Sequence, residues 1–238
     1  MAGGSLLLVA RIFILGVSLV AYGNLGALVL GTATPVGPWP GVFLGMLLMI
    51  SVVAWSCLRS RVGLEELGLA TRGFLPSTGL GLLVALATAL PALLFLRFPP
   101  LLGTAVEYPP LGSMPPDALL WRSFVWMPLD TAIPEEVAFR GVLLAMLLRR
   151  SSTMPAVVLS ALVFTGWHAV IVSRTVALTN LQSEPLLSIL GLVGAFLAVF
   201  AGGLLFAWLR VASGNLAGSI VAHWAFNTLL LLGLANGV

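Results

Sequence analysis

Two adjacent carboxylates, Glu135 and Glu136, are followed by Arg140, and the chain's only two histidines, His168 and His223, lie further on, with Asn227 four residues beyond the second. On a helix, Glu136 and Arg140 share one face at i, i+4 spacing and can neutralise each other. Glu135 points about 100° away and is left without that partner. A buried, unpaired carboxylate suits a general base or acid. One carboxylate, two imidazoles and an amide together can activate a water and stabilise an oxyanion, the two functions that hydrolysis of a peptide bond requires. Glu135 with His168 would supply the first, and His223 with Asn227 the second. The same residue types allow a second chemistry, in which Glu135, His168 and His223 ligate zinc as a two-histidine, one-carboxylate site with an open position for water. The His-Glu-x-x-His spacing of zinc proteases is absent from the chain. The purely architectural alternative is that both glutamates pair with Arg140 and staple helices together.

The elements that must hold these residues are dictated by composition. The chain has 238 residues, 60% hydrophobic and 8% charged, against about 45–50% and 25% in soluble domains. Residues 12–58, 75–96, 151–173, 186–209 and 211–238 contain no Asp, Glu, Lys or Arg. Since a spanning helix takes about 20 apolar residues, these stretches and one around 130–140 predict an all-α polytopic bundle with about seven crossings. The predicted helices are 12–31, 41–58, 77–96, 118–148, 154–172, 185–209 and 214–235, forming a single membrane domain over 1–238 with no separate soluble part. An ionisable group at the centre of a bilayer is costly unless paired or facing water. Asp130, Glu135, Glu136 and Arg140 on the fourth helix, His168 on the fifth and His223 on the seventh are therefore the informative positions. Pro134 beside the charged pair weakens the helix and is a way to open a polar cavity.

Sidedness follows from arginine, which supplies all eleven basic residues. With the N-terminus in the cytoplasm, the inner side holds Arg11, Arg59, Arg61, Arg72, Arg149, Arg150 and Arg210, and the outer loops hold Arg97 and Arg174. That bias is the one expected of cytoplasmic loops. No basic run exists to neutralise phosphates, which argues against a nucleic-acid partner. The segment 34–40, with Pro35, Pro38 and Pro40, reads as a tight uncharged turn. The proline-rich loop 99–117 is long for a membrane hairpin and is a candidate cover for an opening. Arg122 and Asp130, two turns apart on one face, read as helix packing. Cys57 reads as packing. Trp121, Trp126, Trp167 and Trp224 read as interface or packing aromatics, with Trp167 and Trp224 the candidates for a groove wall. Gly26 to Gly31 and Gly79 to Gly81 read as packing signals.

Three motifs taken together, Glu135-Glu136-Val137-Ala138-Phe139-Arg140, Phe164 to His168, and His223 to Asn227, resemble in order and spacing the CPBP family of intramembrane proteases, which includes the type II CAAX prenyl endopeptidases. The resemblance covers about 118–235. It implies a helical membrane endopeptidase with its cavity inside the bilayer. Glu135 and His168 would activate water, His223 and Asn227 would bind the oxyanion, and Glu136 with Arg140 would support the site. It also implies a glutamate-based mechanism with no cofactor, zinc being the alternative. The eukaryotic members resemble an eight-helix arrangement, whereas seven helices are read here. The expected partners are the lipid bilayer and a membrane-embedded or lipid-anchored protein substrate, such as one losing a C-terminal anchor or sorting segment. The expected location is a bacterial cytoplasmic membrane. Buried Glu, His and Arg also mark ion pathways, so a proton- or ion-coupled transporter is the rival from another class. Such proteins often carry internal repeats, and none is visible. A non-catalytic scaffold of the same fold is the third reading, against which all motif positions are intact.

Overall fold

The computed structural model describes residues 2–30, 39–98, 104–112 and 114–235. Most of the expected turn at 34–40 lies outside them, as do Gly31 and residues 99–103 of the proline-rich loop. The described chain is helical, with no strand. Its main elements are α1 (Ala2–Leu30), α2 (Trp39–Trp55), α3 (Phe74–Arg97), α4 (116–148), α5 (Thr153–Trp167), α6 (Ala169–Ala177), α7 (Pro185–Ser213) and α8 (Leu216–Ala235). Five of these are long and apolar enough to cross a membrane, or six if the bent pair α5 and α6 counts as one span. The α4 run, continuous and central, completes a polytopic all-α bundle of about seven spans, and the chain is an integral membrane protein.

α4 is the pivot. Residues 134–147 are buried without interruption, as expected of a helix surrounded on all sides by other helices. Its hydrogen bonding widens to π-type turns over Arg122–Ala132 and Val137–Leu143. Pro128 and Pro134 contribute no N–H to an α-type ladder, and the wider turns accommodate that loss. α2 packs along α4, while α1 packs on α5 and α6. The outward faces carry Phe13, Phe43, Leu83, Ile189 and Leu197, all exposed, which is where a bilayer supplies the missing contacts.

The tightest crossing joins α3 to α8. A Cβ on Gly81 would lie 2.2 Å from the Gly218 carbonyl oxygen, so only glycine permits this approach, and the Ser77 hydroxyl accepts the Gly218 N–H at 2.9 Å. Close backbones and interhelical hydrogen bonds are the adhesive available in lipid. Gly81 thus performs the packing expected of the 79–81 pair, while Gly79 and Gly26 each face open space.

One end of the bundle gathers the arginines assigned to one side. Arg149 donates to the Ser60 and Arg61 carbonyls and pairs with Glu66. Arg210 donates to the Glu66 carbonyl and Arg11 to that of Arg59. The guanidinium of Arg149, and next the Gly63 N–H, hold the Glu66 carboxyl below its ordinary range. α1 begins at Ala2 rather than at residue 12, and Arg11 sits on it beside the end of α2. Cys57 is exposed on the last turn there rather than packed inside. At the opposite end, residues 105–107 of the proline-rich loop are pinned to Asn180, whose side chain binds the Ala105 carbonyl and the Glu107 N–H.

Candidate active site

The two neighbouring glutamates have separate surroundings. Glu136 is fully buried and accepts from Arg140 Nη1 at 2.9 Å, the i, i+4 pair expected from spacing. The same oxygen lies 3.0 Å from His223 Nδ1 on α8. Arg140, also fully buried, donates through Nη2 to the Gly203 carbonyl of α7 at 3.3 Å. Its guanidinium lies 4.0 Å from the centroid of Phe164 and 5.5 Å from that of Phe206, a geometry in which ring faces attract a cation. Phe206 also stacks on His223 at 5.2 Å. Two charges this deep are tolerable because each meets several partners. Ser219, buried one turn before His223, donates to the Leu216 carbonyl.

Glu135 turns the other way. Its Oε2 faces His168 Nε2 at 3.6 Å, too long for a hydrogen bond, and has no hydrogen-bond partner among the described residues. His168 Nδ1 lies 2.8 Å from the Phe164 carbonyl oxygen. A carbonyl only accepts, so Nδ1 carries a proton, and in the neutral ring Nε2 is then the lone-pair side that faces the carboxylate. The two atoms are too far apart to bond directly, and a water lying to one side of the line between them is in reach of both.

These two residues also line a cavity of about 480 Å³ between α1 and α2, whose wall includes Gly26, Gly45, Asp130, Pro134 and Trp167. Pro134 therefore does lie at a polar opening. Neither Glu136, Arg140, His223 nor Asn227 contributes to that wall. The ring of Phe164 stands between the halves, 4.4 Å from His168 and 5.9 Å from His223 by centroids. Asn227 is half-buried one turn beyond His223, and its carboxamide has no hydrogen bond among the described residues.

Of the other expected residues, Arg122 and Asp130 do pair, at 2.6 Å, and both lie on the cavity wall. Trp167 lines the cavity, whereas Trp224 donates to the Ser123 carbonyl and packs on Phe124. The described part of the 99–117 loop contributes nothing to the wall. His223 Nδ1 is bound to Glu136 on the far side of Phe164 from Glu135 and His168, and among the described residues no three His, Cys, Asp or Glu side chains gather at one point. Sequence reasoning missed Phe206, Ser219 and Asn24; only Asn24 left a signal, as a lone carboxamide inside an apolar span.

A multi-span helical protein with a carboxylate–imidazole pair on the wall of a cavity between its helices holds the residue types that hydrolysis inside a membrane requires. Residues 117–229 match the family model for type II CAAX prenyl endopeptidases, Rce1-like, a segment that contains all six motif residues. No curated protein and no solved structure matches it. The family supports an intramembrane protease acting on a membrane-associated substrate.

Proposed function

We propose that the protein is a glutamate-dependent intramembrane endopeptidase. The observation that carries the reading is the isolation of Glu135 and His168 on the cavity wall while their neighbours are paired behind it. A water donating to Glu135 Oε2 and His168 Nε2 keeps its oxygen lone pair free for a substrate carbonyl, and either partner takes the proton as the C–O bond forms. The peptide nitrogen receives that proton as the C–N bond breaks. His223 and Asn227, which the family resemblance assigns to the developing oxyanion, stand behind the Phe164 ring, so that role requires the ring to swing aside as substrate enters. The Asn227 carboxamide is free to donate. Glu136 and Arg140 hold His223 in place.

The substrate is a membrane-embedded or lipid-anchored protein, and removal of a C-terminal anchor or sorting segment fits a cavity reached from within the bundle. The Arg bias supports a cytoplasmic N-terminus, and a bacterial inner membrane is the location we assign. In that orientation the cavity, lined by the last turns of α1 and the first of α2, opens toward the outer leaflet. The test is fragment release from membranes bearing the protein after exhaustive chelation. Cleavage that survives chelation and is lost in Glu135→Ala is expected. Cleavage abolished by chelation and restored by zinc, or undiminished in Glu135→Ala, would overturn the assignment.

A further inference from the structure

His168 sits at a break. α5 and α6 meet there at 52°, and the backbone of His168 has φ −86° and ψ 3°, in the bridge region between helical and extended values. In an uninterrupted helix the Gly166 carbonyl would accept from the Val170 N–H, four residues on. Here one side chain from α1 occupies both groups. Asn24 Nδ2 donates to the Gly166 oxygen at 2.8 Å, and Asn24 Oδ1 accepts from the Val170 N–H at 2.8 Å. The carboxamide has replaced a rung of the helix, and a side chain inserted into the ladder is a recognised cause of sharp kinks.

The insertion is tightly specified. Asn24 Nδ2 also donates to the Val20 carbonyl at 2.8 Å, so a flipped amide would set its oxygen against two carbonyls and its nitrogen against an N–H. The adjacent Gly23 lets α1 come this near: a Cβ there would lie 2.3 Å from the indole of Trp167. Further along, Arg174 donates to the Ala27 carbonyl. α1 is thus laid as a splint over 166–174, with Asn24 at the break.

We propose that Asn24 is a positioning residue that opens the helix at His168 and aims its imidazole at Glu135. α1 lies outside the segment that matches the family, so this assigns the N-terminal helix a part in the site. That His168 acts in catalysis rests on the proposed function; that Asn24 sets its environment does not.

Because the chain has only two histidines, the test can be read from the ring signals of ¹⁵N-histidine in the full-length protein in detergent micelles, assigned with His168→Gln and His223→Gln. Asn24→Leu, close in shape but unable to hydrogen-bond, should move the His168 ring signals and leave those of His223 in place. Asn24→Gln, which keeps the carboxamide, should return them toward the parent values. If Asn24→Leu does not fold, Asn24→Ser, too short to reach both groups, reads the same signal. Turnover in the leucine variant should fall about 100-fold with KM changed less than about twofold, the signature of misplacement rather than lost binding. Both histidines shifting together, or neither, would overturn the proposal. A parent protein that cleaves nothing would overturn the protease reading while leaving the spectral result to decide this one.

Discussion

Glu135 and Glu136 are the same residue type one position apart, and they live in different solvents. Glu136 is sealed with Arg140 and His223, every close contact being protein. Glu135 looks onto a cavity with only His168 opposite. The 100° turn between successive helical residues is enough to place one carboxylate in a dry scaffold and its neighbour at a reactive wall. On the proposed mechanism the two carboxylates serve different ends, one to act and one to hold a charged network together.

The sharpest way to break this comparison is to remove each in turn. Glu135→Ala should abolish proteolysis by orders of magnitude and leave the thermal midpoint near that of the parent, measured by fragment release and by unfolding in detergent. Glu136→Ala should instead destabilise, by about 3–5 kcal/mol, because it leaves the Arg140 guanidinium buried and unpaired; a stable Glu136→Ala would refute its scaffold role. Gly26→Leu fills open space on the cavity wall and should raise KM several-fold without lowering stability, whereas an unchanged KM would mean that substrate does not pass α1. The smallest effect belongs to the arginine-rich end. The Glu66 carboxyl is held low, so its contribution is present above the unfolded value, about pH 4.3, and fades as pH falls through the lower folded value. Glu66→Gln should cost little at neutral pH, since the pair is exposed, and its midpoint should converge with the parent's in acid. A difference that persists there would assign the effect to something other than the ion pair.

Features set by local spacing were legible in the chain. The i, i+4 rule separated Glu136 from Glu135 correctly, and the charge-free stretches marked the helices. Partners that belong to another helix were beyond such a rule. Nothing in the order of residues says that His223 meets Glu136, or that Phe164 divides one imidazole from the other. The span 154–172 read as one helix because its residues are uniformly apolar; the break at His168 comes from Asn24, on a helix far away in sequence. Arg122 and Asp130 read as a packing pair and are one, but their place on the cavity wall depends on where α1 and α2 part.

The most direct measurement of the central claim is to map protein termini in membranes from cells expressing the wild-type protein or Glu135→Ala at equal levels. The expected result is a small set of membrane polypeptides that keep an extra terminal segment only when Glu135 is missing. Identical termini in both, with the wild-type protein present and folded, would contradict it.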